Sequence, residues 1–193
     1  TPLTPLPPHP FSPTCLAAGV PGVERTVYLL KHTKPEAIEP TTRSRCNPHE
    51  ASFAAGLAAF LLRQGIQPHH IAILTPYCGQ LLTVRRELRS LAATTHGTAD
   101  VRTSTIDAFR GEQSEVVILT LVRSQPVGDV SAWEIGALGS ETRMALMLTR
   151  ARRGLYIVGN AETLAAENSL WQALVRVLKE GDAAGNAYPS CGG

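Results

Sequence analysis

Lysine is almost missing from this chain. Its 18 basic residues include only three lysines, Lys31, Lys34 and Lys179, and none follows a glycine. A phosphate-gripping P-loop needs Gly-Lys-Ser/Thr, so that backbone N–H groups cradle the phosphates and the lysine reaches their outer oxygens. The chain contains no such loop. Aromatic residues make up 5%, so a core must come from Leu, Val, Ile and Ala. No run approaches the length of about 18 apolar residues that a transmembrane helix needs. The first residues lack a charged and then apolar leader, so no secretory signal is expected. The four cysteines, Cys15, Cys46, Cys78 and Cys191, lie far apart without a C-x-x-C pair. Neither a disulfide framework nor a self-contained zinc site is expected, and no metal ligands are assigned. Free thiols point to a reducing compartment, cytoplasmic or nuclear. A net charge of +2 leaves little overall field, so affinity for nucleic acid must come from local arginine clusters.

Half of the 14 prolines fall in residues 1–22. Proline fixes φ and lacks an N–H, which excludes a helix or central strand there. Residues 1–22 read as a linker or disordered arm, and the Gly- and Ala-rich residues 181–193 as a flexible tail. The folded part is expected over 23–180. Apolar runs at 26–30, 71–74, 101–106, 116–122 and 155–158 read as strands. Residues 48–64 read as a helix, with Phe53, Leu57, Phe60 and Leu61 at helical spacing, Asn47 as cap and Gly65 at the end. Residues 80–91 repeat the pattern with Leu81, Val84, Leu88 and Leu91, while Arg85, Arg86 and Arg89 point elsewhere. Further helices are expected at 143–150 and 161–179. Apolar strands separated by helices imply an α/β fold, a parallel sheet with helices on both faces. Such sheets bind ligands beyond the carboxyl ends of their strands. Thr75–Gln80, Arg123–Ser124 and Gly159–Asn160 follow strands in this way.

Three segments stand in order: ILTPYCGQ at 73–80, TSTIDAFRGEQSEVVILTLVR at 103–123 and LMLTRARRGLYIVGN at 146–160. In order and spacing they resemble motifs IV, V and VI of superfamily 1 helicases, and most of all those of the Upf-like RNA helicases. Upstream, Asn47-x-x-Glu50-Ala51 resembles a pattern that opens the first helix of that family's second RecA-like lobe. The resemblance spans about residues 44–165. A helix carrying Trp171, followed by glycines and Cys191, is similar to the branch bearing NFX-type zinc fingers.

The resemblance implies a RecA-like sheet and assigns roles. Arg150, in Thr149-Arg150-Ala151-Arg152, takes the place of the arginine finger. A guanidinium suits that role because it stays charged and forks onto phosphate oxygens, and such a group stabilises a transferring phosphoryl. Arg152 and Arg153 read as a solvated basic edge. Gly111, Glu112 and Gln113 fall where the family meets its nucleotide, ATP with Mg²⁺. Arg110 stands where relatives carry Gln, and Gln113 where they carry a ribose-binding Glu; Gln still bonds a hydroxyl but has no charge. Thr75, Pro76, Tyr77, Gln80, Thr103, Thr105 and Asp107 fall where the family meets nucleic acid. Tyr77 either stacks a base or packs, Asp107 either contacts ligand or caps a turn, and Cys78 reads as a buried thiol.

The expected function is therefore the second motor lobe of an ATP-dependent RNA helicase. Its expected partners are single-stranded RNA, with DNA left open, and a first RecA-like lobe of the same parent chain. Without a P-loop this chain alone is expected to be inactive. Arg110 and Gln113 motivate an alternative, a degenerate lobe serving as an RNA- or protein-binding scaffold.

Overall fold

Every neighbouring pair of strands in the main sheet is parallel. The computed structural model describes residues 19–124 and 136–188. Within them run β1 (Val27–Lys31), β2 (Ala37–Ile38), β3 (Arg45–Cys46), α1 (Pro48–Arg63), β4 (Ile71–Thr75), α2 (Cys78–Leu91), β5 (Arg102–Thr105) and β6 (Ser114–Thr120). α3 (Glu141–Leu148), β7 (Ala151–Gly159), α4 (Ala161–Glu167), α5 (Ser169–Glu180) and β8 (Ala184–Gly185) complete the order. The six-stranded sheet has the order β5-β4-β6-β7-β1-β8, and β2 and β3 form a small antiparallel pair. This is a RecA-like α/β fold.

The apolar strands are buried on both faces because successive side chains point to opposite sides. Ala72 and Leu74 of β4, Val117 and Leu119 of β6, and Leu155 and Ile157 of β7 join one core with Met144, Met147 and Trp171. Ile71, Ile73, Val116, Ile118 and Tyr156 point the other way, into a core with α1 and α2. α1 lies close to the sheet because its inner face is alanine, at Ala51, Ala54, Ala55 and Ala58. Asn47 opens the helix by accepting the Glu50 N–H at 3.3 Å, an ordinary asparagine cap. On α2, Val84 and Leu88 face inward, and Arg85, Arg86 and Arg89 are exposed.

Three expectations are corrected. The terminal helix over 161–179 is two helices, because Asn168 is extended and accepts the Leu170 and Trp171 N–H groups at 2.9 and 3.2 Å. That cap starts α5 afresh and delivers Trp171 into the core, where its indole N–H meets the Leu138 carbonyl at 2.9 Å. The helix over 143–150 ends at Leu148, leaving Thr149 and Arg150 outside it. Cys78 is exposed, because it begins α2 rather than ending β4, and Cys46 is the buried thiol. Within 181–193, β8 pairs with β1, and Tyr188 packs edge-on against Phe53, Phe60 and Tyr156. Burial holds the Tyr156 and Tyr188 phenols well above their ordinary pKa. At the other end, Val20 is buried in the α1-side core. Residues 1–18 and 189–193, with Cys15 and Cys191, lie outside the described residues.

Candidate functional site

The expected site residues divide between the two edges of the sheet. The strand register places the starts of β6 and β7 side by side, Ser114 against Ala151, and their ends likewise, Thr120 against Val158. At about 3.3 Å per residue, the seven residues of β6 separate the edges by roughly 20 Å.

At the amino edge, motif V and motif VI meet directly. Gly111 has φ 83°, a left-handed conformation that a Cβ disfavours, although the space around it is open. Its turn presents the Glu112 carbonyl, which accepts from Arg150 Nη1 at 3.2 Å. The Ser114 N–H returns a bond to the Arg150 carbonyl at 3.0 Å. Arg150 Nη2 donates to Thr149 Oγ1 at 2.8 Å, and Thr149 donates to the Ala145 carbonyl at 2.7 Å. Gln113 Oε1 accepts from Arg152 Nε at 3.2 Å. The Glu112 carboxylate pairs with Arg102, whose guanidinium lies 4.7 Å above the Phe109 ring centre.

The three motif VI arginines are held differently. Arg152 and Arg153 both pair with Glu115, at 3.6 and 4.0 Å. Among the described residues Arg150 has no carboxylate partner, and its buried Nε has no hydrogen-bond partner. Arg150 is thus a partly buried guanidinium held by neutral acceptors, the Glu112 carbonyl and Thr149 Oγ1. Among the described residues no group of three or more His, Cys, Asp or Glu is placed to hold a metal ion.

At the carboxyl edge lie Thr75, Pro76, Tyr77, Thr105 and Asp107. The Ile106 N–H bonds the Thr75 carbonyl at 3.0 Å, joining motif IV to motif V. Thr75 is buried and its Oγ1 accepts the Tyr77 N–H at 3.4 Å. Tyr77 is half-buried, with its hydroxyl enclosed and unpartnered among the described residues. Thr105 Oγ1 accepts the Ala108 N–H at 3.4 Å. Asp107 pairs with Arg143 at 3.1 Å and more loosely with Arg110 at 3.9 Å. Two expected residues stand apart. Gln80 is fully buried, and its Oε1 accepts the Asn47 N–H at 2.8 Å. Thr103 lies within β5, where its Oγ1 accepts from Arg85 Nε at 2.9 Å.

The carboxyl edge also holds a buried polar network. Glu36 Oε2 accepts from Arg123 Nε at 2.8 Å and from the Ser124 N–H at 3.0 Å, and its other oxygen bonds Arg45. Ser124 Oγ accepts from Asn160 Nδ2 at 2.9 Å. Glu50 pairs with His32 at 2.9 Å and accepts the Val122 N–H at 2.9 Å. Burial raises the Glu50 carboxyl above the usual carboxylate range, against the pull of His32 and the Val122 N–H. Glu39 is held below that range, chiefly by the Thr42 N–H. The β2–β3 hairpin packs so close to α2 that a Cβ on Gly79 would lie 2.5 Å from the Ser44 carbonyl oxygen, which is why glycine stands in the first turn of α2. Sequence reasoning singled out Asn47, Glu50, Arg123 and Ser124 but missed Glu36 and His32. Lone polar residues in a loop carry no periodic signal.

A family model described as "AAA domain" matches residues 16–162. The human NFX1-type zinc finger-containing protein 1 is 33% identical over 170 residues, which is 88% of this chain and 8% of that protein. The Schizosaccharomyces pombe "Helicase required for RNAi-mediated heterochromatin assembly 1" is 34% identical over 162 residues, 83% of this chain and 15% of that protein. The Drosophila melanogaster "Regulator of nonsense transcripts 1 homolog" is 31% identical over 163 residues, 83% of this chain and 13% of that protein. The chain thus spans only a small part of the curated relatives it matches. With motifs IV, V and VI lining one RecA-like sheet, the chain belongs to the Upf-like superfamily 1 helicases, among relatives that include the NFX1-type branch.

Proposed function

We propose that this chain is the second motor lobe of an ATP-dependent RNA helicase working in the cytosol or nucleus. The amino edge turns toward a nucleotide shared with the first lobe, and the carboxyl edge turns toward single-stranded RNA. The observation that carries the reading is the contrast among the motif VI arginines: Arg152 and Arg153 are paired with Glu115, and Arg150 has no carboxylate among the described residues.

The residues of this lobe then have distinct tasks. Arg150 offers its guanidinium to the outermost phosphate, steadied by the Glu112 carbonyl and Thr149. Gly111 turns the backbone so that this carbonyl faces Arg150. Gln113, bonded to Arg152, offers its amide to a ribose hydroxyl. On the opposite edge, Tyr77 supplies a ring for a base, and Thr105 and Asp107 lie along the backbone track. ATP, when bound, supplies the phosphoryl-transfer energy that drives the lobes together and apart. The P-loop lysine and the Mg²⁺-binding carboxylates are assigned to the first lobe.

The test is ATP turnover by the parent protein with RNA present. Replacing Arg150 by Ala should lower turnover at least roughly a hundredfold, because arginine fingers contribute about 10³–10⁵ in rate. A change below about fivefold removes Arg150 from the reaction.

A further inference from the structure

β6 ends in a turn that its own sequence disfavours. Val122 stands at φ 71°, where a β-branched residue is a genuine outlier. The Arg123 N–H donates to the Leu121 carbonyl at 2.8 Å, closing a γ-turn of the rare, strained kind. Such backbone persists only where its surroundings over-determine it. Here the first turn of α1 and its cap do so. The Val122 N–H donates to Glu50 Oε2 at 2.9 Å, and Asn47 Nδ2 donates to the Val122 carbonyl at 3.5 Å. Glu50 is fully buried, and its other oxygen pairs with His32. Asn47 is fixed in turn by Gln80 and by the Lys34 carbonyl, at 2.8 and 3.1 Å.

A buried carboxylate is a demanding way to fill space. An apolar side chain of similar size packs as well or better at lower desolvation cost, and the raised Glu50 pKa marks that cost. The residues after the turn supply a reason. Arg123 and Ser124 leave it directly and latch onto Glu36. The Arg123 guanidinium and the Tyr77 hydroxyl both border Gly136, at 3.2 and 3.3 Å from the place a Cβ would occupy there.

We propose that Glu50 is a positioning residue: by accepting the Val122 N–H it holds the end of β6 left-handed, and so places Arg123 on Glu36 and, with Tyr77, around Gly136 at the carboxyl edge. This inference rests on the reading that the carboxyl edge meets RNA.

The test uses the full parent protein carrying Glu50→Gln, Glu50→Ala or Glu50→Ala with Val122→Gly. Two quantities are measured: the RNA concentration for half-maximal stimulation of ATP turnover, and hydrogen exchange at residues 121–124. Gln keeps an oxygen for the Val122 N–H, so that variant should stay within about twofold of wild type and keep its protection. Glu50→Ala should expose the Val122 amide and raise the half-maximal RNA concentration about tenfold, the scale of released backbone strain. Turnover at saturating RNA should change less than about twofold. Glycine adopts this φ without strain, so adding Val122→Gly should recover most of the lost RNA response. A purely structural Glu50 predicts no such rescue.

Unchanged exchange at Val122 in Glu50→Ala, or a double variant no better than the single one, overturns the proposal. If Glu50→Ala does not fold, Glu50→Gln decides: retained protection at Val122 supports the clamp, and lost protection overturns it. A wild-type parent without RNA stimulation defeats the functional reading, and the exchange measurement still judges the clamp.

Discussion

The carboxyl edge of the sheet holds sealed charge pairs beside exposed ones such as Asp107–Arg143, whereas the amino-edge pairs are exposed. At the carboxyl edge the Glu36–Arg123 and His32–Glu50 pairs are sealed, with every side chain at most 5% exposed. At the amino edge Arg102–Glu112 is about half exposed on both sides, and Arg152 reaches Glu115 from solvent. Sealed pairs are fixed in geometry and costly to break, whereas exposed ones are loose and screened. The carboxyl edge is thus a prearranged surface, stiffened by latches among β1, α1, β6 and β7. At the amino edge Arg102, Arg152 and Arg153 are exposed, and Arg150 is partly buried, held by the Glu112 carbonyl and Thr149. A surface that tracks a polymer benefits from the first arrangement, and a group that must reach a phosphate benefits from the second.

Substitutions can break or sharpen this contrast. Glu36→Ala should have the largest effect on stability, about 3–5 kcal/mol, because it breaks a buried ion pair with Arg123; urea unfolding of the chain measures it. Gly111→Ala should cost about 1–2 kcal/mol through its left-handed φ alone, since nothing crowds the site. That would place the firmness of the amino edge in its backbone. Glu112→Gln should cost less than about 1 kcal/mol, and 0.5 M salt should erase about half or more of the difference, as for any exposed pair. Equal losses for Glu36→Ala and Glu112→Gln would remove the distinction between the edges.

The sheet was the most legible part of the sequence. Runs such as Ile71–Thr75 and Ser114–Thr120 are largely apolar because both faces are covered, a pattern that needs no tertiary knowledge to read. Helix ends were less legible. Asn168 sits in a stretch with continuous helical character, and only its side chain, turned back to two N–H groups, divides α4 from α5. Motifs V and VI marked the amino edge through local order, since Gly111 and Arg150 lie near their strand starts. The buried network was legible only in part. Asn47, Glu50, Arg123 and Ser124 stand at strand and helix ends where polar residues attract notice. Glu36 and His32 lie in a loop, and the role of Glu36 depends on Arg123 arriving 87 positions later. Gln80 and Thr103 show the converse, since motif position alone does not tell whether a side chain faces out.

The proposed function separates nucleotide and nucleic-acid groups between two edges of one sheet. The decisive measurement is the RNA affinity of the parent protein carrying Arg150→Ala, taken without nucleotide by fluorescence anisotropy. The predicted Kd stays within about threefold of wild type, even though RNA-stimulated turnover of the same variant falls at least roughly a hundredfold. An RNA affinity that falls in step with turnover would contradict that separation.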